Sequence, residues 1–207
     1  VSNLESDLVS PPLLVVFAGP NGAVKSTFRR IFHGDSTVPF INADMIAAEE
    51  KASAYEAAAM AEQLRQDFII ARQSFMFETV LSDPIGAKVA FLTAARSHGY
   101  RVVVNFIGIE SDEYSFARVF QRVCEGGHDV PEEKIRERFP RVLENLARVV
   151  GKVDALTIYD NTSKTSPYRM IARMEGELLL ELSHSIPHWL TFLDLPDRVT
   201  KSTIRIP

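Results

Sequence analysis

The sequence has a single cysteine, Cys124, in 207 residues. An internal disulfide is therefore excluded, and such sparing use of cysteine fits a reducing compartment such as the cytoplasm. No apolar run approaches the roughly 18–20 residues of a membrane span. Basic residues are not in excess: 23 Lys and Arg stand against 27 Asp and Glu, a net charge of −4. Without a basic field, non-specific nucleic-acid binding is disfavoured as the main task, because that binding feeds on counterion release. The stretch VSNLESDLVSPP (1–12) lacks the charged start and apolar centre of a secretory signal and reads as a solvated tail. Repeats, low-complexity tracts and a second-domain linker are missing too, so 13–207 reads as one domain. Cys124 falls in an amphipathic stretch, where a small buried apolar residue is the expected role.

What is present is an alternation. LLVVFAG (13–19) is a continuous apolar run ending in glycine, as expected of a strand buried on both faces. Helix follows over 25–33, then strand (38–44), an alanine-rich helix (45–73), strand (74–80), and a helix from Pro84-Gly86 to His98-Gly99. YRVVVNFIGI (100–109) is a strand rich in β-branched residues; helices over 111–125 and 131–150 and a strand at 155–160 complete the series. In the second of these helices Ile135, Phe139, Val142, Leu143, Leu146, Val149 and Val150 form a stripe at helical spacing. Residues 168–182 read as a hairpin turning at Glu175-Gly176, and Trp189 and Phe192 as packing back on the body. Strand alternating with helix predicts an α/β fold with a parallel sheet covered on both faces, its ligands at the carboxyl ends of the strands.

GPNGAVKST (19–27) sits at such an end. It has the form of a phosphate-binding loop, Gly-x4-Gly-Lys-Ser/Thr, with valine at the second glycine. Gly19, Asn21, Gly22, Val24, Lys25, Ser26 and Thr27 are the expected nucleotide-binding residues. Backbone N–H groups would surround phosphate at a helix N-terminus, Lys25 would reach the outer phosphates, and Ser26 would hold Mg2+ beside ATP. Asp44, ending the second strand, could take a proton from a substrate hydroxyl or simply cap the following helix. Glu78 lies in an apolar run, FMFET, where a carboxylate is costly unless paired or functional; orienting substrate or metal is the expected role. Residues 118–141 have the layout of a lid: Arg118 and Arg122 on one helix, Gly126-Gly127 as a break, and Arg136, Arg138 and Arg141 on or near the next helix, some of them in surface ion pairs. His128 reads as a turn residue.

GPNGAVKST, INADMIA, FMFETVLSD, GYRVVVNFIGIES, RVFQRVCEGGHDVPEEKIRERFPRVLENL and IYDNTS, in this order, resemble the zeta toxin family of bacterial P-loop kinases over roughly residues 13–175. The resemblance implies a three-layer P-loop kinase fold with a five-stranded parallel core sheet in the order 2-3-1-4-5. It implies phosphorylation of a sugar hydroxyl of UDP-N-acetylglucosamine by ATP and magnesium, and restraint by a small helical antitoxin. It assigns Lys25 to the phosphates, Asp44 to the base, Glu78 and Thr79 to the sugar nucleotide, Arg122 and Arg138 to the γ-phosphate, and Asn161 to the neighbourhood of the adenine. Other acceptors, such as another nucleotide or a cofactor like NAD, remain open. So does a catalytically dead protein that keeps the acceptor pocket.

Val24 departs from that pattern. A β-branched residue costs about 1–2 kcal/mol in a left-handed conformation, and its methyls compete for space at the phosphate. The expectation is that the empty loop relaxes into a neighbouring conformation and that ATP affinity falls at least about tenfold relative to glycine.

Overall fold

The computed structural model describes residues 10–127 and 129–207; residues 1–9 of the N-terminal tail and the His128 turn lie outside the described residues. Strand β1 (Leu13–Ala18) runs through the middle of an eight-stranded sheet of order β2-β3-β1-β4-β5-β6-β7-β8. Its parallel core comprises β2 (Phe40–Ile41), β3 (Phe75–Thr79), β1, β4 (Arg101–Gly108) and β5 (Ala155–Asp160), the expected 2-3-1-4-5 order. Alternation along β1 divides the core. Leu14, Val16 and Ala18 join one buried cluster, while Val15 and Phe17 join Phe28, Met76, Ile107 and Ile109 on the other face. Burial on both faces is why LLVVFA reads as an unbroken apolar run.

Helix α1 (Lys25–His33) follows β1 directly. The second strand is shorter than its sequence suggests, because Asn42 ends it by capping α2 (Ala43–Glu50); its side chain accepts from the N–H groups of Asp44 and Met45. Asp44 therefore neither closes the strand nor caps the helix; it is an exposed residue of the first turn of α2. The alanine-rich stretch is likewise two helices. Lys51 turns left-handed, and Ser53 with Glu56 forms a capping box that starts α3 (Ala54–Ile70). Helices α4 (Ala87–Ser97), α5 (Asp112–Cys124) and α6 (Glu132–Val149) occupy the expected positions, and the α6 stripe buries Ile135, Val142, Leu146 and Val149. Cys124 corrects the sequence reading: as the last residue of α5 it is exposed.

Strands β6 (Arg169–Glu175) and β7 (Leu178–Ser183) form the expected hairpin, antiparallel to β5, and β8 (Ile204–Ile206) pairs parallel to β7. Between β7 and β8 a 3-10 segment carries Trp189 back onto the sheet. Its ring covers Gly108 so closely that an added Cβ there would lie 2.1 Å from it, and its Nε1 donates to Asp160 at 3.2 Å. Phe192, by contrast, is left exposed.

A charged staple joins α3 to α4. Glu62 accepts from Arg65 and from Lys88, each at 2.6 Å, and Arg65 is buried over the Phe77 ring. Burial works to raise the Glu62 pKa, but the hydrogen bonds from Lys88 and Arg65 outweigh it and hold the carboxyl down at about 2. A depressed carboxylate stabilises the fold above its unfolded pKa, and that contribution disappears as pH falls through the folded value. Glu62→Gln is expected to lower stability near neutral pH by about 1–2 kcal/mol. The deficit should shrink in thermal melts taken from about pH 5 down to pH 2; a pH-independent deficit would assign Glu62 to packing alone.

Candidate nucleotide site

The loop between β1 and α1 is closed at its start by contact with β4. Gly19 has φ 143°, and a Cβ there would lie 2.0 Å from the Ile107 carbonyl oxygen, so no larger residue fits. Beyond it, five consecutive carbonyls are each claimed by a donor. Pro20 O accepts from Lys25 Nζ at 3.0 Å and from Ala23 N, Asn21 O from Ser115 Oγ at 2.7 Å, and Gly22 O from Arg118 Nη1 at 3.4 Å. Ala23 O accepts from Asn161 Nδ2 at 3.0 Å, and Val24 O from Tyr168 Oη at 3.0 Å as well as from Phe28 N. In a trans peptide N–H points opposite to C=O. Pinning the carbonyls from α5 and from the segment after β5 therefore directs the amides that follow away from those donors.

Those amides run into the N-terminus of α1. No side chain caps this helix and its first turn holds no acidic residue. The N–H groups of Lys25, Ser26 and Thr27 have no acceptor within the helix, and the helix dipole adds partial positive charge. The arrangement suits an anion.

Val24 caps the helix at φ 64°, ψ 40°, the left-handed conformation glycine would take, with its side chain exposed. This corrects the expectation of a relaxed loop: valine itself takes the left-handed conformation and carries the strain. Replacing it with glycine removes about 1–2 kcal/mol of strain and returns about 0.5–1 kcal/mol through the looser unfolded chain. The balance, about 0–1.5 kcal/mol, should raise the nucleotide-free Tm of Val24→Gly by up to about 6 °C. A Tm that falls in calorimetry would mean that Val24 is unstrained, since only glycine's entropic cost would then remain.

One side chain from β3 touches the loop, and two charged residues from other elements act on Lys25 at longer range. Glu78 at the end of β3 accepts from Ser26 Oγ at 2.7 Å through Oε2, and its Oε1 lies 3.8 Å from Lys25 Nζ. Burial is the largest influence on Lys25 and pulls its pKa below the ordinary lysine value; Glu78 pushes it up, Arg122 lowers it and Asp44 raises it. Lys25 and Glu78 are thus paired at the carboxyl edge of the sheet, with Arg122 and Asp44 within electrostatic range of Lys25. Among the described residues no group of three or more His, Cys, Asp or Glu could hold a metal. Ser26 and Glu78 do present two paired oxygens at the phosphate loop, which fits Mg2+, a cation that keeps much of its shell as water and phosphate.

The remaining expected residues fall nearby in different ways. Thr79 and Arg138 line a groove of about 410 Å³ between the β3–α4 loop and α6, with Ser82, Lys88 and Lys134. Asn161 is buried, with both ends of its amide engaged, on Ala23 O and by Tyr168 N at 3.2 Å. Arg118 is a clasp that also reaches Thr162 O at 3.0 Å. Arg136 and Arg141 are in surface ion pairs, with Asp112, Glu113 and Glu132 and with Glu137 respectively. The sequence reading missed Ser115 and Tyr168. Burial holds the Tyr168 pKa above the ordinary tyrosine value, with Arg118 pulling the other way, so its hydroxyl stays a donor at neutral pH.

A parallel 2-3-1-4-5 sheet with a phosphate loop between its first strand and first helix defines a P-loop kinase-type fold. The family profile described as Zeta toxin matches residues 41–171, and the chain belongs to that family. The Val24 loop precedes the matched span. An uncharacterized protein of Haemophilus influenzae is 29% identical over 130 residues, 60% of this chain and 91% of that protein. Among solved structures, one from the PezAT chromosomal toxin-antitoxin system of Streptococcus pneumoniae superposes with a TM-score of 0.54 at 14% identity, over 79% of this chain and 72% of that one. The AvrRxo1-ORF1:AvrRxo1-ORF2 complex with ATP gives a TM-score of 0.53 at 15% identity, over 95% of this chain and 65% of that one. No helix among the described residues is long and apolar enough to cross a membrane.

Proposed function

We propose that the protein is an ATP-dependent phosphotransferase acting on a hydroxyl of a sugar nucleotide, with a UDP-sugar as acceptor, and that Val24 slows it. The observation that carries this reading is the cluster at the carboxyl edge: Lys25, Ser26 and Glu78 in contact, with Asp44 and Arg122 within electrostatic range. In this reading the loop amides and Lys25 hold the ATP phosphates. Ser26 and Glu78 hold Mg2+, which supplies charge neutralisation at the phosphates. Asp44 accepts the acceptor's proton, and Arg122 and Arg138 offset negative charge at the transferred group. Thr79, which lines the groove and follows Glu78 in β3, contacts the acceptor. Because the loop is already left-handed at Val24, the impairment rests on the branched side chain. The toxin–antitoxin neighbour supports a small protein partner.

Incubation with ATP, magnesium and UDP-sugars, read by mass spectrometry for a phosphorylated acceptor, tests the reaction in both the Val24 protein and Val24→Gly. In the glycine background, Asp44→Asn should reduce turnover by about 10²–10⁴ while ATP binding stays nearly intact. Unchanged turnover would reduce Asp44 to a helix residue.

The acceptor is tested separately by calorimetry on the protein as it stands, since the groove lined by Thr79 and Arg138 includes no residue of the phosphate loop. Binding of a UDP-sugar is expected. No heat at millimolar concentration with any of them would favour another acceptor, such as a nucleotide or NAD.

A further inference from the structure

Tyr168 approaches the phosphate loop across 144 residues of sequence and makes one polar contact with it, the 3.0 Å hydrogen bond from its hydroxyl to the Val24 carbonyl. Several features hold that hydroxyl in place. The ring packs against Phe28 of α1 at 5.2 Å and against Phe32 at 6.1 Å. The Tyr168 N–H donates to Asn161 Oδ1, and the other end of that amide donates to Ala23 O, so one residue bridges the tyrosine and the loop. Tyr168 is itself left-handed, at φ 53°. Two strained residues are thus joined through a single hydrogen bond, and one of them is the valine at the glycine position.

We infer that Tyr168 is a positioning residue that keeps Val24 left-handed, and that this tie replaces the conformational freedom glycine would supply. The inference rests on the reading of the loop as an ATP site. A valine prefers to leave the left-handed region. If it leaves, the peptide between Val24 and Lys25 turns, and the Lys25 amide swings away from the helix N-terminus. The Tyr168 bond opposes that rotation from outside the helix, adding to the hold of the Phe28 N–H on the same Val24 oxygen. With glycine at 24 the left-handed state is intrinsically accessible, and the tie has little left to do.

The test is a four-protein cycle of the starting chain, Val24→Gly, Tyr168→Phe and the double variant, with ATP-magnesium affinity measured by calorimetry. Tyr168→Phe should weaken ATP binding about threefold to tenfold when Val24 is present, the range expected for one hydrogen bond. It should change binding less than about twofold when glycine is present, since glycine adopts the turn unaided. Equal losses in both backgrounds, or none in either, would overturn the inference.

A second measurement does not need nucleotide. The ¹³Cα and ¹³Cβ chemical shifts of Val24 report the sign of φ. They should move out of the left-handed range on Tyr168→Phe, and unchanged shifts would overturn the inference. If none of the four proteins binds ATP, the phosphotransferase reading fails and the shifts alone decide the role of Tyr168.

Discussion

The phosphate loop depends on where its carbonyls go. A loop that binds an anion through backbone amides must turn several peptides the same way, and each turned peptide also presents a carbonyl that needs a donor. Here the donors from outside the loop are a serine and an arginine of α5, an asparagine after β5, and a tyrosine before β6. The site is therefore shaped from behind by the rest of the fold. Strands β4 and β5 bring α5 and the post-β5 segment to the carboxyl edge, and the close contact of Gly19 with Ile107 sets the distance.

On the open side a lysine and a carboxylate balance one another. Lys25 is buried, and the adjacent Glu78 carboxylate compensates its charge and also accepts from Ser26. An incoming phosphate with a divalent cation would divide that pair, giving the lysine an anion and the carboxylate a metal. This exchange of partners leaves no buried charge bare at either stage, which matters because an unpaired buried charge is far costlier than a paired one.

Much of the fold was legible because its signals are local. The buried β1 run, the hairpin and the α4, α5 and α6 boundaries follow from periodicity and from Gly and Pro punctuation. The two-helix division of the alanine-rich stretch was also readable, from Ser53 and Glu56 three residues apart; helix propensity across the whole stretch hid it. Asn42 hid in the same way behind the more conspicuous Asp44. The loop motif was legible from the spacing of Gly19, Lys25 and Ser26, and Glu78 because a carboxylate in an apolar strand is expensive wherever it lies. The clasp was not readable: Ser115 and Tyr168 are ordinary residues on a helix and in a loop, and only the tertiary approach of segments far apart in sequence makes them matter. Val24 shows the limit of the opposite argument. Its preference against a left-handed turn is real, yet surrounding contacts override a bias of about 1–2 kcal/mol.

The order of the chain has a consequence for its synthesis. The loop at residues 19–27 leaves a ribosome well before the residues that pin its carbonyls, Ser115, Arg118, Asn161 and Tyr168. Domains fold as units while the chain emerges at about 5–20 residues per second. A nascent chain would thus carry the loop for several seconds before its last clasp is available. If the loop holds nucleotide as proposed, that capacity comes late, once the chain as far as Tyr168 is free to fold.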